Sequence, residues 1–453
     1  MKQIARRAIA LLLMILVFFG GMGFLIAKFT VRGDDWATYP TNRHLYTDGS
    51  LVKAGAITDR NGTVLASTAD GVRSFAESAS VRKATFHAVG DLSGKVATGV
   101  HSAFLSELVG YDIVNGIYSR KGEGNNIQLT LDADLCVTAM NALGSYAGTV
   151  GVYNYKTGEI LCMVSTPTTD PYAVKAGAED DGSGLYVNRL LSGIYAPGSV
   201  FKLVTAAAAL DNMNDCFTRQ YACSGGVTIE GEWVSCLGHH GSLTLGDALT
   251  KSCNAFFAQM AVDLGGDVMT RTANKLGFNK AFSVDGIRCA ASRYDVTGAR
   301  NIDLAWSGMG QQNDMVNPFH YMVLMGAIAN GGRPVNPYFV ESVKTTGGIP
   351  LRFALSHNGS RMMGEATANE LSDMMRNNVL HNYGDGNFSG LELCAKTGTA
   401  EIGEETPHSW FVGFSRSESK PYAFVVVAEN AGSGIGAAAR IANRVLQAAP
   451  AVE

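Results

Sequence analysis

A serine and a lysine, three residues apart at the start of an apolar helix, form the clearest candidate catalytic pair in the sequence. Ser199 and Lys202 lie in YAPGSVFKLVTAAAAL, where Pro197-Gly198 predicts a turn and the Ala-rich run predicts a helix. Helix residues three apart share one face, with Cβ atoms about 5–6 Å apart, so the amine can reach the hydroxyl. Because serine needs a base to become a nucleophile, the pair predicts covalent catalysis by Ser199 with Lys202 as base. The competing interpretation is a helix-capping serine beside a surface lysine.

Two further motifs follow this pair, and the three together are more specific than any one of them. Ser-x-x-Lys alone is weak, because it also occurs at 50–53, 80–83 and 417–420 without a long apolar helix behind it. Ser-x-Asn occurs inside LGDALTKSCNAFFAQMAV and again in a Gly-rich loop at 356–358. Lys-Thr-Gly occurs in a predicted strand and again in a hairpin turn at 156–158. The ordered set comprises Ser199/Lys202, Ser252/Asn254 and Lys396/Thr397/Gly398.

Short apolar runs separated by turns predict the strands that must position these motifs. NIQLTLDADLCVTAMNAL predicts a strand and then a helix, and GTVGVYNYKTGEILCMVSTP predicts two strands joined by a tight turn. GLELCAKTGTAE, HSWFVGFS and PYAFVVVAEN predict three more strands before a final helix over 435–448, whereas residues 199–382 are predicted to be mostly helix and loop. Strands at both ends of a helical middle predict an α+β fold, an antiparallel sheet flanked by helices.

Composition excludes several classes of function. The chain has 453 residues with 46% hydrophobic and 17% charged residues, which excludes a disordered protein. Its 36 Lys and Arg against 40 Asp and Glu leave a net charge of −4, and no basic cluster stands out after the N-terminal segment. We therefore expect no nucleic-acid partner.

An uncharged stretch near the N-terminus predicts one transmembrane helix. It runs for 20 residues, AIALLLMILVFFGGMGFLIA, and as a helix it spans the hydrocarbon layer of about 30 Å. A cleaved signal peptide is the alternative, but its apolar core is usually shorter, about 7–15 residues.

Residues 54–68, AGAITDRNGTVLAST, predict a hairpin around Asn61-Gly62. The predicted regions are a cytoplasmic tail (1–7), the membrane helix (8–27), a stalk and small N-terminal domain (28–125) and the main domain (126–453).

Flanking charges barely decide the orientation of this helix, since both ends carry basic residues. An arrangement with the N-terminus inside places the rest of the chain outside the cell, because no second apolar stretch returns it. We expect a single-pass membrane protein with its main domain on the outer face. The basic residues are Lys2, Arg6 and Arg7 before the helix and Lys28, Arg32 and Arg43 after it.

Eight cysteines are too few for a disulfide scaffold in a chain of this length. Cys223 and Cys236, followed by His239 and His240, have the spacing C-x12-C-x2-H-H, which lacks the usual separation between the ligand pairs of a zinc site. A disulfide or two free thiols is the favoured interpretation, and no metal or cofactor is expected. Cys253 is expected to be a buried, unreactive thiol within an apolar element.

The three motifs resemble those of penicillin-binding proteins and class A β-lactamases. YVNRLLSGIYAPGSVFKLVTAAAAL, SLTLGDALTKSCNAFFAQMA, AIANGGRPVNPYFV, CAKTGTAE and HSWFVGF resemble successive landmarks of class B transpeptidase domains, over residues 126–450. ITDRNGTVLA resembles the segment that follows the membrane anchor in class B members. The region between the membrane anchor and the catalytic domain is short, so the chain resembles the short, monofunctional type of class B penicillin-binding protein.

The resemblance implies a mechanism in which Ser199 is acylated by the penultimate D-Ala carbonyl of a stem peptide and releases the terminal D-Ala. An amine from a neighbouring strand then takes the acyl group. Lys202 is the implied base, kept neutral by burial and by the nearby Lys396 cation, and Ser252 is implied to carry the proton to the leaving nitrogen.

The remaining motif residues are implied to bind substrate. The resemblance assigns the amide backbone of the substrate to Asn254, its terminal carboxylate to the Lys-Thr-Gly-Thr strand, and the oxyanion hole to the backbone N–H groups of Ser199 and Thr399. The implied substrate-binding residues are Asn254, Lys396, Thr397, Gly398 and Thr399.

The leading hypothesis is therefore a peptidoglycan D,D-transpeptidase that β-lactams acylate, without a cofactor or metal. A D,D-carboxypeptidase remains an alternative, because the cleft determines whether an amine or water takes the acyl group from the serine. A β-lactamase is disfavoured by the N-terminal region and by the lack of a deacylating glutamate, the nearest pattern being Glu365-Ala-Thr-Ala-Asn369. A β-lactam sensor should show additional membrane helices and a cytoplasmic effector domain, and a scaffold should have lost a motif residue.

The expected partners are stem peptides, β-lactams, the membrane and a glycan polymerase. No glycosyltransferase-sized domain precedes residue 126, so we expect the glycan strands to come from another protein. The resemblance implies a polytopic polymerase of the shape, elongation, division and sporulation family. Gly20, Gly21 and Gly23 would allow another membrane helix to approach closely.

Overall fold

A computed structural model describes residues 2–37, 46–47, 50–51, 53–111, 124–175, 181–312, 314–403 and 405–452. Parts of the predicted stalk, within 38–52, lie outside the described residues. The first half of the chain contains helices α1 Lys2–Ala37, α2 Ala79–Ala84, α3 Phe86–Val89, α4 Val100–Ala103, α5 Leu105–Leu108, α6 Ala133–Leu143, α7 Arg189–Ser192 and α8 Lys202–Asn212 and strands β1 Tyr46–Thr47, β2 Ser50–Leu51, β3 Ile57–Thr58, β4 Val64–Ala69, β5 Val72–Phe75, β6 Asn125–Leu129, β7 Gly148–Asn154 and β8 Ile160–Thr166.

The second half follows the same alternation. Its helices are α9 Leu245–Thr250, α10 Asn254–Leu264, α11 Gly266–Lys275, α12 Asn301–Gly308, α13 Pro318–Ala329, α14 Glu365–Asn378 and α15 Ala438–Ala448. Its strands are β9 Tyr221–Ile229, β10 Glu232–Leu243, β11 Ser283–Val284, β12 Ile287–Arg288, β13 Val340–Thr345, β14 Pro350–Phe353, β15 Leu393–Ile402, β16 Glu405–Ser415 and β17 Tyr422–Ala428.

Helix α1 contains the predicted membrane span. Its segment Lys2–Gly33 has a mean hydropathy of 2.8 and none of its most apolar window is buried against the rest of the protein. At about 1.5 Å rise per residue, the segment is longer than a hydrocarbon layer is thick. Among the described residues, this N-terminal helix is the one that is long and apolar enough to be a single-pass anchor.

The predicted antiparallel sheet lies at the centre of the main domain. Five strands pair in the order β15-β16-β17-β7-β8, each antiparallel to its neighbour. Helix α13 packs on one face, and α6 and α15 contact the sheet as well. Because helices cover the sheet, every residue of β7, β8 and β17 is buried, which explains their unbroken apolar sequences. The predicted α+β fold is confirmed.

A second sheet joins the N-terminal region to the main domain. Its strands run in the order β14-β13-β6-β3-β4-β5, and β3 lies parallel to β6. The hairpin predicted around Asn61-Gly62 is confirmed as β3 and β4. Strand β6, predicted from NIQLTL, belongs to this sheet and not to the central one. The sheet takes strands from both sides of residue 126, and the domain division there stays a prediction.

A long hairpin interrupts the middle of the chain, where mostly helix and loop was expected. Strands β9 and β10 pair antiparallel and pack on α10, with register shifts between Ser235 and His239 and between His239 and Gly241. Most of their residues are at least partly exposed, and glycine, serine and histidine replace the apolar alternation of a half-buried strand. With that composition, the sequence shows no strand-like alternation that would predict the hairpin.

Candidate active site

Ser199 lies on a single 3₁₀ turn, Gly198–Phe201, that continues directly into α8. The sequence predicted a helix start here, and the first turn is the tighter form, in which side chains three residues apart eclipse each other. Ser199 Oγ lies 3.1 Å from Lys202 Nζ, which confirms the predicted pairing. Lys202 is fully buried, so the interpretation of a surface lysine is wrong.

Contacts from other elements hold the Ser199 turn in place. Gly198 has a φ of +55° and its N–H donates to the Gly310 carbonyl at 3.0 Å. The Trp410 indole N–H, from β16, donates to the Ala196 carbonyl at 3.0 Å. The backbone before the serine is therefore fixed from two sides, which orients Ser199 before any substrate binds.

The Ser-x-Asn motif forms the turn between α9 and α10. Ser252 has a φ of +51°, a conformation that is costly for a residue other than glycine and is found mostly where function requires it. Lys202 Nζ lies 2.6 Å from the Ser252 carbonyl oxygen and 3.2 Å from Ser252 Oγ. It also lies 2.7 Å from Asn254 Oδ1. The strained turn thus places both motif side chains against the lysine.

The partners of Lys202 are compatible with a neutral amine. The Ser252 carbonyl and Asn254 Oδ1 can only accept, so they use both N–H groups of a neutral amine and leave its lone pair for a hydroxyl. Burial lowers the pKa of Lys202 from 10.5 to about 8, although the thiols of Cys236 and Cys253 oppose this shift. A useful fraction of the amine is then unprotonated near neutral pH, as a general base must be.

Asn254 connects Lys202 to strand β10. Its Nδ2 donates to the Ser235 carbonyl at 3.1 Å, and its backbone N–H donates to Cys236 Sγ at 3.3 Å. The asparagine is therefore anchored at three atoms by two separate elements. In this structure the side chain positions Lys202, and its substrate-binding role stays a prediction.

Lys396 approaches from the opposite side, on the edge strand β15. Its Nζ donates to the Thr397 carbonyl at 3.0 Å and lies 3.0 Å from Ser252 Oγ. Lys396 is fully buried, and both burial and the charge of Lys202 lower its pKa well below the ordinary value. Ser252 Oγ is therefore within hydrogen-bond distance of two amines.

Tyr383 is a site residue that the sequence did not reveal. Its hydroxyl accepts from the Thr397 N–H at 3.1 Å and lies 3.1 Å from Thr397 Oγ1. It lies in a short helical segment, Val379–Tyr383, that follows α14, so no motif spacing links it to Lys-Thr-Gly. Only the tertiary fold brings its hydroxyl into contact with Thr397 on strand β15.

The last two motif residues lie against the Ser199 turn. A Cβ on Gly398 would lie 2.8 Å from the Pro197 carbonyl, so the strand approaches the turn more closely than a side chain allows. Thr399 Oγ1 accepts from the Gly434 N–H at 3.4 Å, and Ser199 and Thr399 are both partly exposed. All eight predicted residues thus meet in one place, whereas Lys-Thr-Gly at 156–158 forms the expected turn between β7 and β8.

No disulfide joins Cys223 and Cys236 in the structure. All eight cysteines, including Cys223 and Cys236, are unpaired. Cys253 is fully buried as expected, and its Sγ lies 3.8 Å from Cys236 Sγ. Cys253 lies outside the β9–β10 hairpin, so no spacing in the sequence connects it with Cys223 and Cys236.

Residues 148–447 match the family described as penicillin binding protein transpeptidase domain, and the chain belongs to this family. This confirms the resemblance seen in the motifs. The peptidoglycan D,D-transpeptidase PbpA of Mycolicibacterium smegmatis is 27% identical over 359 residues, 73% of this chain and 72% of the relative. The PbpA of Mycobacterium tuberculosis is 26% identical over 374 residues, 76% of each chain.

Solved structures agree with the fold. Penicillin-binding protein A from M. tuberculosis, as a ceftriaxone acyl-enzyme complex, superposes with a TM-score of 0.78 at 24% identity, covering 88% of this chain and 98% of that one. The D,D-transpeptidase domain of a peptidoglycan glycosyltransferase from Eggerthella lenta gives a TM-score of 0.75 at 26% identity, covering 87% of this chain and 97% of that one.

Proposed function

We propose that this chain is a serine D,D-transpeptidase that cross-links peptidoglycan stem peptides and is acylated by β-lactams. The observation that carries the proposal is the 3.1 Å contact between Ser199 Oγ and the Nζ of a fully buried lysine. The names of the mycobacterial relatives and membership of the transpeptidase family support the same reaction.

Acylation begins when Lys202 Nζ takes the proton of the Ser199 hydroxyl. The oxygen attacks the carbonyl of the penultimate D-Ala, and the tetrahedral oxyanion lies against backbone N–H groups of Ser199 and Thr399. Collapse breaks the peptide bond, the proton passes to the leaving nitrogen, and terminal D-Ala departs. An acceptor amine then attacks the ester and its proton passes through Lys202 to the departing oxygen, which releases the peptide and restores the Ser199 hydroxyl.

Ser252 is placed to carry the proton between these groups. Its Oγ lies 3.2 Å from Lys202 Nζ and 3.0 Å from Lys396 Nζ, so one hydroxyl can accept from one amine while it donates to the other. A substrate carboxylate near Lys396 and Thr397 would stabilise the charge on Lys396, leaving Lys202 neutral. Substrate binding would thereby favour the protonation states that the reaction needs.

We also propose that α1 is a single-pass anchor with the N-terminus inside and the catalytic domain on the outer face, beside a polytopic glycan polymerase. The proposed substrate lies outside the cytoplasm, which favours this orientation. Gly20, Gly21 and Gly23 have no side chain, which allows another membrane helix to approach α1 closely. Protease accessibility of residues 53–453 in intact protoplasts tests the orientation, and protection from external protease would contradict it.

The catalytic proposal is tested by labelling the full-length chain in detergent. Incubation with a fluorescent penicillin should add one drug per chain by intact mass, and Ser199→Ala should add none. Ser80→Ala is the matched control, since Ser80 and Lys83 repeat the spacing at exposed positions of α2, and it should label normally. Covalent labelling of Ser199→Ala would overturn the assignment.

A second measurement distinguishes the possible acceptors. The chain is given a donor peptide ending in D-Ala-D-Ala together with an acceptor peptide that has a free side-chain amine. A cross-linked product with release of one D-Ala is expected. Release of D-Ala without that product would indicate a carboxypeptidase, and rapid loss of the penicillin label would indicate a β-lactamase.

A further inference from the structure

Three thiols and one imidazole converge directly behind the Ser-x-Asn turn. The side chains of Cys223, Cys236, His240 and Cys253 place their sulfur and ring nitrogen atoms within 4.8 Å of one another. They come from both strands of the β9–β10 hairpin and from the residue before α10. We propose that these four residues bind a structural zinc ion that supports the Ser252–Asn254 turn.

Three of the six distances between the ligand atoms match those of a tetrahedral zinc site. With Zn–S bonds of about 2.3 Å and Zn–N bonds of about 2.0–2.1 Å, a regular tetrahedron has S–S edges of about 3.8 Å and S–N edges of about 3.6 Å. Cys236 Sγ and Cys253 Sγ lie 3.8 Å apart. His240 Nδ1 lies 3.6 Å from Cys223 Sγ and 3.5 Å from Cys236 Sγ. Three edges therefore match zinc coordination, and the two sulfur atoms are too far apart for a disulfide bond.

The local backbone explains how one hairpin supplies three ligands. Cys236 and His240 are four residues apart on β10, so the alternation of a strand directs both side chains to the same face. Both side chains are half-buried and lie beside Cys223 of the partner strand, whereas Leu237 between them is exposed. His239, one position earlier, is exposed and faces away from the cluster, against Gly225.

The chemistry of the donor set selects the metal class. Three thiolates with one imidazole form a Cys₃His set, which is typical of structural zinc sites, whereas magnesium and calcium require oxygen ligands. Binding of Zn²⁺ would release one proton from each thiol and leave the imidazole neutral. The backbone N–H of Asn254 already donates to Cys236 Sγ at 3.3 Å, the kind of outer contact that orients a metal-bound thiolate.

The position of the site gives it a role in the proposed reaction. Cys253 lies between Ser252, whose φ is +51°, and Asn254, and both neighbours contact Lys202 Nζ. A metal bond to Cys253 would hold this strained turn against the lysine. This part of the inference rests on the proposed function, whereas zinc binding itself does not.

The test compares two adjacent histidines in the full-length chain, purified in detergent with reductant and without chelators. We expect about one zinc per chain in the wild type and in His239→Gln, and a loss of most of it in His240→Gln. His240→Cys keeps four ligands and should retain zinc, which separates loss of a ligand from loss of folding. Replacement by Co²⁺ should give the visible absorption and sulfur-to-cobalt charge transfer of a tetrahedral thiolate site.

Three outcomes would overturn the zinc site. They are a wild-type chain that binds neither zinc nor cobalt, equal metal loss in His239→Gln and His240→Gln, and a disulfide among Cys223, Cys236 and Cys253 in freshly purified protein. Metal content is measured without any substrate, so a chain that binds zinc and fails to react with penicillin would contradict the proposed function alone.

The supporting role has its own readout. Removal of zinc with 1,10-phenanthroline should slow penicillin acylation by about tenfold or more, and added zinc should restore it. The same treatment should leave the acylation rate of His240→Gln unchanged. If penicillin acylates the metal-free wild-type chain as fast as the zinc-bound chain, zinc does not support the Ser252–Asn254 turn.

Discussion

Lys202 and Lys396 approach the same oxygen from opposite sides, with their Nζ atoms 3.2 Å and 3.0 Å from Ser252 Oγ. Both lysines are fully buried, and burial lowers the pKa of each. Two cations sharing one hydroxyl in a desolvated site repel each other, which favours a state with a single charge. The pair can therefore provide a base and a cation from the same residue type, and the reactivity of the site depends on which amine is neutral.

Acylation should become faster as the pH rises. Burial lowers the pKa of Lys202 to about 8, and the base must be unprotonated, so the rate should climb through this pH and then level off. Below the pKa the neutral fraction falls about tenfold per pH unit, so we expect roughly a hundredfold slower acylation at pH 6 than on the plateau. Stopped-flow measurements from pH 6 to 9, with a β-lactam whose own charge is constant, check this. A flat or falling profile would contradict the assignment of Lys202 as base.

The two lysines should fail differently when each is replaced by alanine. Lys202→Ala removes the base, so acylation at saturating β-lactam should fall by a factor of about 10²–10⁴. Lys396→Ala removes the cation that is proposed to attract the carboxylate, so its defect should be partly rescued at high ligand concentration. Saturation curves of the acylation rate separate the two effects, with Lys83→Ala on α2 as a control. Identical curves for the two variants would argue against separate roles.

Tyr383→Phe should weaken ligand recognition more than chemistry. The change removes the acceptor of the Thr397 N–H and leaves that partly buried group without its partner, a loss of about 1–2 kcal/mol. Because Thr397 is proposed to hold the substrate carboxylate, the half-saturating β-lactam concentration should rise by about tenfold or more while the limiting acylation rate changes little. Tyr422→Phe, which removes a hydroxyl that donates to Pro450 at the far side of the sheet, is the control. A fall only in the limiting rate would contradict a recognition role.

The parts of the site that local sequence determines could be predicted. Ser199 and Lys202 share one helical turn, and Lys396 lies on a strand whose apolar neighbours mark it as part of a buried sheet. The central sheet was visible because its strands β7 and β17 are covered on both faces and read as continuous apolar runs.

The parts that depend on tertiary contacts could not be predicted. Tyr383 contacts Thr397, and Trp410 donates to the Ala196 carbonyl beside the Ser199 turn, but no spacing rule encodes either contact. The spacing C-x12-C-x2-H-H disfavours zinc because it contains only Cys223, Cys236 and the two histidines, whereas the fold brings Cys253 beside Cys223, Cys236 and His240. Hairpin β9–β10 was missed because its exposed surface needs no apolar alternation.

Gly398→Ala should separate the Ser199 turn from strand β15. Gly398 has no unusual φ, so the glycine is required by space alone: the new Cβ would lie 2.8 Å from the Pro197 carbonyl and 3.0 Å from Val200 Cγ1. None of these atoms is at the end of a flexible side chain, so the strand or the turn must move. Overpacking of this kind typically costs about 1–3 kcal/mol of stability.

The same displacement should reduce activity, because a shift of about 1 Å in a catalytic geometry can slow a reaction by about a hundredfold. Gly246→Ala is the matched control, since a Cβ added at Gly246 in α9 would meet nothing within 4 Å and alanine favours a helix. Thermal unfolding and penicillin acylation are measured for both variants. We expect Gly398→Ala to lose stability and at least tenfold in acylation rate, whereas Gly246→Ala should match or exceed the wild type in stability and acylate normally. Equal behaviour of the two variants would show that the close approach of strand β15 to the Ser199 turn does not require a glycine.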